Sequence, residues 1–151
     1  MDQREVLDRL RNAKSAHLGW VNRARALIEG NPVDQEKIPV MPTDCIFGKW
    51  YYGDGRALSK LTSFRDVEQP HNELHRIYAE IFNILFEQKK GSFLSRMLGG
   101  RKREQEKRMQ EARDRFHDLQ QMSNIIIAKL DKIEKDIRAL TPEQQRVMFG
   151  G

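Results

Sequence analysis

The segment Gln69-Pro70-His71-Asn72-Glu73-Leu74-His75 contains two histidines that are four residues apart. In an α-helix, positions four apart lie on one face with their Cβ atoms about 6 Å apart, so His71 and His75 can reach one metal ion. Apolar residues continue this face at helical spacing, which places both imidazoles on the side expected to be buried. These residues are Tyr78, Phe82 and Leu85. Pro70 suits a first helical turn, where a missing backbone N–H costs nothing.

The composition predicts one small core with an extended, solvated helical arm. The 151 residues are 38% apolar and 32% charged, which is polar for a compact globule. No apolar run approaches the roughly 20 residues that span a bilayer, and residues 1–5 lack the basic-then-apolar pattern of a signal peptide. We therefore expect a cytoplasmic protein without a membrane span. The net charge of +5 permits contact with an acidic surface but does not require it.

The first segment is predicted to be a long amphipathic helix that ends at Gly30-Asn31-Pro32. His17 lies inside its apolar stripe. The stripe alone leaves two interpretations open, a core histidine hydrogen-bonded to a neighbour or a metal ligand. The other members of the stripe are Val6, Leu7, Leu10, Ala13, Trp20, Ala24, Leu27 and Ile28.

The single cysteine, Cys45, excludes an internal disulfide. We expect Thr43 or Asp44 to cap a short helix that carries Cys45 in its first turn, where the helix dipole favours a thiolate. Asp44 has an alternative role as acceptor for the N–H of a ligating imidazole. Aromatic residues crowd this region, so Cys45 is either an inert buried thiol or a metal ligand.

Three motifs together resemble a known family. They are Ala16-His17-Leu18-Gly19-Trp20, Cys45-Ile46-Phe47-Gly48-Lys49-Trp50-Tyr51 and the segment from His71 to His75. Their order and spacing resemble the chemoreceptor zinc-binding (CZB) domain of bacterial chemotaxis receptors and diguanylate cyclases, over about residues 5–88. The resemblance implies an all-α bundle with Zn²⁺ bound between helices, and a homodimer or higher homo-oligomer. The ligands that it implies are His17, Cys45, His71 and His75.

A site with four protein ligands favours sensing over catalysis. Zn²⁺ with four protein ligands has no open position for an activated water. Glu73 follows His71 by two residues instead of one, which rotates it by about 100° from the place of the general base in a His-Glu-x-x-His hydrolase. We therefore expect no enzymatic activity. The resemblance implies two kinds of stimulus, zinc itself and hypochlorous-type oxidants, and the sequence does not choose between them.

The C-terminal part keeps a heptad register from Met109 to Leu140, which predicts a long coiled-coil helix, packed across subunits or folded back on the zinc domain. The basic cluster within residues 101–108 is interleaved with glutamates, which favours a solvated helix face. The expected organisation is a zinc-binding bundle, a linker with a glycine joint and basic residues, a coiled-coil helix and a tail. Their bounds are 1–90, 91–103, 104–141 and 142–151.

These residues contain no diguanylate cyclase motif and no long chemoreceptor hairpin. We therefore expect a stand-alone regulator of a chemotaxis or cyclic-di-GMP pathway that acts through a signalling partner and does not bind nucleic acid. The metal or redox state of the site would alter the packing of the C-terminal helix. The alternative is a constitutive oligomerisation or adaptor module in which zinc only stabilises the fold.

Overall fold

The computed structural model describes residues 1–86 and 100–150, and these residues form helices, turns and loops without a strand. The predicted all-α class is therefore confirmed. The α-helices are α1 (Gln3–Ile28), α2 (Ile46–Tyr52), α3 (Thr62–Arg65), α4 (Glu68–Phe86), α5 (Gly100–Arg138) and α6 (Pro142–Phe149). Two 3₁₀ helices, Gln35–Lys37 and Asp54–Leu58, lie in the connections. Within the described ranges, no helix is long and apolar enough to cross a membrane.

Helix α1 begins at a side-chain cap and ends before a glycine with a left-handed backbone conformation. The Asp2 side chain accepts a hydrogen bond from the N–H of Glu5 at 2.8 Å and caps the first turn. The chain leaves the helix at Gly30, whose φ of +80° is accessible mainly to glycine. The predicted apolar stripe is the buried face of this helix, and His17 is buried with it.

Helix α4 carries the histidine pair as predicted. It begins at Glu68, so Pro70 lies in the first turn, and the N–H of His71 donates to the carbonyl of Val67 at 3.0 Å. His71 and His75 lie on the buried face of the helix. The rest of that face is Pro70, Leu74, Ile77, Tyr78 and Ile81.

Helix α5 folds back and packs against α1 and α4, and it runs antiparallel to α1. Ion pairs join Lys14 to Asp131 at 2.7 Å and Arg11 to Glu134 at 3.1 Å, so advancing along α1 means going back along α5. From Leu119 to Ile137 the buried positions of α5 follow the predicted steps of three and four, and Ala112 lies one heptad before Leu119. They are Ala112, Leu119, Ser123, Ile126, Leu130, Ile133 and Ile137. The apolar stripe of this helix is thus covered within the chain itself.

The residues on either side of α5 correspond to the predicted linker and the predicted tail. Residues 91–99 of the predicted linker lie outside the described residues. Lys102, Arg103 and Lys107 are exposed on the first turns of α5, as expected of a solvated helix face. Residues 142–151, which we expected to be a tail, include helix α6. This helix forms because Thr141 and Gln144 make a reciprocal capping box around Pro142.

Candidate metal centre

The potential ligand atoms of Cys45, His71 and His75 converge between α2 and α4. One atom from each residue, the thiol sulfur and one ring nitrogen from each imidazole, lies within 4.8 Å of the other two. Sγ of Cys45 is 3.4 Å from Nε2 of His71, and the centroids of the two imidazole rings are 4.7 Å apart. Each of the three side chains exposes 4% or less of its surface. We call this group the metal triad.

Cys45 is the N-cap residue of α2. Its backbone is extended (φ −73°, ψ 155°), and its Sγ accepts a hydrogen bond from the N–H of Gly48 at 3.2 Å. The thiol also donates to the carbonyl of Pro42 at 3.4 Å. Our expectation that Thr43 or Asp44 caps the helix is therefore wrong. The thiol itself satisfies an N–H of the first turn, which is the role that a side-chain oxygen usually takes.

Gly48 allows the loop before Cys45 to lie directly on α2. A Cβ atom at this position would be 1.8 Å from the carbonyl oxygen of Pro42 and 3.3 Å from Sγ of Cys45. Only glycine fits such a close approach of two backbone segments. Gly48 therefore supports the triad twice, by its N–H and by its missing side chain.

The two histidines of α4 have different hydrogen-bond partners. Nδ1 of His75 donates to the carbonyl of Val40 at 2.8 Å, which leaves Nε2 with a lone pair for a metal. Such a bond from the second ring nitrogen to a carbonyl is the usual support of a metal-binding histidine. Nδ1 of His71 is buried and has no hydrogen-bond partner among the described residues. The other nitrogen of this ring, Nε2, is the one that faces the thiol of Cys45. A buried imidazole with an unpaired nitrogen, beside a thiol and a second imidazole, fits a site built for an ion.

His17 lies at the same cavity but is not one of the triad. It is 2% exposed, and its Nε2 is 2.9 Å from Oγ of Ser123 on α5. A cavity of about 390 Å³ is lined by His17 together with Cys45 and His75. The structure thus places His17 next to the triad with one ring nitrogen engaged by α5. Its role as fourth ligand stays a prediction.

Burial keeps the three imidazoles neutral at physiological pH. Desolvation, with a further contribution from neighbouring histidines, lowers the pKa of His17 to about 4 and that of His71 to about 3. Desolvation also lowers the pKa of His75 to about 4, although its bond to Val40 acts in the opposite direction. A metal binds the neutral imidazole, so these residues are already in the protonation state that ligation requires.

The thiol of Cys45, in contrast, is not in the protonation state that ligation requires. Burial raises its pKa, and this effect outweighs the hydrogen bond from Gly48, which lowers it. The helix N-terminus that we expected to favour a thiolate is present, but desolvation is the larger effect. Because only the thiolate binds a metal, ligation at Cys45 must release a proton.

Aromatic side chains pack against the ligands. The ring of Trp20 lies 4.7 Å from that of His75, and the ring of Phe47 lies 4.8 Å from that of His71. The indole N–H of Trp20 donates to the carbonyl of Pro39 at 3.2 Å, which holds the loop over the site. These apolar walls explain the lowered histidine pKa values.

The donor set fits zinc, and the nearby glutamate of the histidine segment is engaged elsewhere. Two imidazole nitrogens and one thiolate are borderline-soft ligands of the kind that Zn²⁺ takes. The carboxylate that the sequence analysis compared with the general base of a His-Glu-x-x-His hydrolase is that of Glu73, and it is ion-paired with Arg76. Hydrogen bonding to Arg76 holds the pKa of Glu73 below its usual range. Glu73 therefore serves the helix surface.

With this geometry in view, comparison with known protein families gives one match. Residues 17–82 match the family described as the chemoreceptor zinc-binding domain. Residues 17–82 form a CZB domain. No curated protein and no solved structure matches the chain. The matched range contains all four residues predicted as ligands, and it ends before α5 begins.

The CZB domain is a zinc-binding domain of bacterial chemotaxis and signalling proteins. Its metal is zinc, and the triad of Cys45, His71 and His75 is suited to hold it. The domain is a sensor and signalling unit rather than a catalytic one. This agrees with a donor set enclosed by aromatic rings and backbone carbonyls.

Sequence reasoning missed two contributors to this site and gave a different role to a third, Asp44. In the sequence, Ser123 is only a polar residue at a core position of the heptad pattern, and nothing in that pattern indicates its contact with His17. The contact of His75 with the carbonyl of Val40 could not be predicted, because every residue has a backbone carbonyl and no residue type marks this one. Asp44 was expected to accept from an imidazole, but its carboxylate acts on the site only through its charge, which opposes the lowering of the His75 pKa.

Proposed function

We propose that this protein is a zinc-dependent regulator of a bacterial chemotaxis or cyclic-di-GMP pathway, with His17, Cys45, His71 and His75 as the ligands. The observation that carries the proposal is the convergence of the triad's donor atoms within 4.8 Å in a buried position between two helices. The regulator acts as a homodimer or higher oligomer and controls a signalling protein through the packing of α5.

Binding or loss of the metal can change the packing of the helices, because the ligands lie on different helices. The four ligands come from α1, from the start of α2 and from α4, so one ion held by all of them ties these elements together. When the metal leaves, buried nitrogens and a thiol face one another without a shared partner, which costs free energy. The bundle then relaxes at the contacts that hold α1 and α4 against α5.

Oxidation of Cys45 is a second input to the same site. A hypochlorous-type oxidant transfers oxygen to the thiolate, so that RS⁻ and HOCl give the sulfenic acid RSOH and Cl⁻. The sulfenic acid is the first rung of cysteine oxidation, and it is reversible by thiols. Cys45 lines the cavity beside the site, which gives a small oxidant a way in. The oxidised sulfur is a poorer ligand, so the hold on α2 weakens while the imidazoles remain.

One observation favours a second function, that of a constitutive oligomerisation or adaptor module. The buried face of α5 is almost entirely aliphatic and needs no metal to stay packed. In this case zinc stabilises the fold and transmits nothing.

Removal of zinc separates the two functions. Purified protein should contain one zinc per chain, and a strong chelator should change both its oligomeric state by light scattering and its amide hydrogen exchange in α5. A protein without stoichiometric zinc would overturn the proposal. If zinc is present but its removal changes neither quantity, the adaptor function is the correct one.

A further inference from the structure

Ser123 is the polar exception in the buried face of α5. Its neighbours on that face, Leu119 and Ile126, are fully buried aliphatic residues, and Ser123 itself is 1% exposed. A hydroxyl in such a place costs free energy unless it is hydrogen-bonded. Its partner is Nε2 of His17, at 2.9 Å, on a helix 106 residues away in sequence.

We propose that Ser123 is a positioning residue for the zinc site, because its hydroxyl engages Nε2 of His17 and leaves Nδ1 as the nitrogen that binds the metal. Imidazole has two nitrogens, and a metal-binding histidine normally uses the other one to hold its ring in place. The carbonyl of Val40 does this for His75. Ser123 does it for His17.

The hydroxyl also selects the tautomer of His17. This role requires that Nε2 of His17 donates its proton to the oxygen of Ser123, whose own proton can go to the backbone carbonyl one turn earlier, as in other helical serines. The ring nitrogen that faces this oxygen must then carry the proton. Nδ1 of His17 consequently has the lone pair, which is the form that ligation requires.

The consequence is that α5 becomes part of the metal site although it lies outside the matched family range. Zinc binding through His17 strengthens the contact between α1 and α5, and by reciprocity the docking of α5 strengthens zinc binding. This inference rests on the proposed function, since it requires His17 to be a ligand. It names the single side chain through which α5 responds to the metal.

The test is a double-mutant cycle in the full-length protein. Ser123→Ala removes the hydroxyl and keeps a good helix former, and it should lower zinc affinity by about 10- to 100-fold in a chelator competition assay, the usual effect of losing such a support. Ser123→Thr restores the hydroxyl and should recover most of the affinity. In a His17→Ala background, Ser123→Ala should cause no further loss.

A matched control lies one step along the same buried face. Ile126→Val loosens the packing of α5 without touching His17, so it should lower thermal stability and leave zinc affinity within about twofold. Cobalt supplies a second measurement, because the visible spectrum of bound Co²⁺ reports its ligand number and geometry. That spectrum should change in Ser123→Ala and should keep the wild-type form in Ile126→Val.

Two outcomes would overturn the role of Ser123. One is an unchanged zinc affinity in Ser123→Ala, and the other is an equal loss of affinity with and without His17, since the serine would then act through general packing. Both results leave the proposed function standing, provided that the wild-type protein binds zinc. A wild-type protein that fails to bind zinc is a failure of the proposed function itself, and circular dichroism of each variant shows whether it is folded.

Discussion

Acid should destabilise the zinc-free protein in a window set by its three buried histidines. The pKa values of His17 and His75 are lowered to about 4, and that of His71 to about 3. In the unfolded chain each imidazole titrates near pH 6.5. Their contribution to stability is therefore fully present above about pH 6.5, and it is lost as the pH falls toward 4, because only the unfolded state takes up protons in that range.

The size of the effect follows from the pKa shifts. One unit of pKa is worth about 1.4 kcal/mol. At a pH about 1.5 units below the unfolded pKa, each imidazole that stays neutral in the folded state therefore lowers the free energy of unfolding by about 2 kcal/mol. Three such residues give about 6 kcal/mol at pH 5. This is comparable to the whole stability of a domain, about 5–15 kcal/mol. The ion-paired Glu73 and Glu134 have lowered pKa values, so they add to the loss only at lower pH.

Urea unfolding of the chelator-treated protein, followed by circular dichroism near pH 7.5 and near pH 5, measures this difference directly. His71→Leu should reduce the drop in unfolding free energy by about 2 kcal/mol, because one of the three titrating groups is gone. His117→Gln, which removes an exposed histidine of α5, is the matched control. A wild-type protein whose stability at the two pH values agrees within about 1 kcal/mol would refute the reasoning.

Three further predictions concern the ligands and their support. Cys45→Ala should leave a three-histidine site that binds zinc more weakly, and a zinc affinity equal to that of the wild type would show that the thiolate is not a ligand. His71→Ala or His75→Ala should lower both zinc affinity and the Tm of the zinc-loaded protein, since a lost ligand also removes folding free energy; a Tm that still rises with zinc as in the wild type would contradict this. Gly48→Ala should cost about 1–3 kcal/mol of stability by overpacking and should weaken zinc binding, because its Cβ would lie 1.8 Å from the carbonyl of Pro42. Urea unfolding and chelator competition measure the two effects, and a variant that matches the wild type in both would mean that the loop yields without moving Sγ of Cys45.

The local architecture of this protein was predictable because it depends on residues near one another in sequence. The spacing of His71 and His75 predicted that both lie on one buried helix face, and the structure confirms it. The apolar stripe of the first helix and the end of that helix at Gly30 were predicted in the same way, and the structure confirms both. One local detail was wrong, the cap of α2, because sequence reasoning assigned capping to an oxygen when the thiol of Cys45 accepts the hydrogen bond.

The long-range pattern left alternatives that packing decided. The heptad register of α5 predicted an apolar stripe but was compatible with a partner subunit or with the rest of the chain as its cover. The structure covers it with α1 and α4, as the ion pair between Lys14 and Asp131 illustrates. Periodicity reports which residues share a face, and it contains no information on what that face meets.

The sequence by itself therefore determined the long helices α1, α4 and α5, the family and the residue types that suit zinc. Those features follow from short-range spacing and from the chemistry of individual side chains. Only the tertiary structure decided that Cys45, His71 and His75 meet within 4.8 Å, that the carbonyl of Val40 supports one imidazole, and that Ser123 reaches His17. The reason is that these contacts join distant parts of the chain. They depend on how the helices pack against one another, which local sequence patterns do not specify.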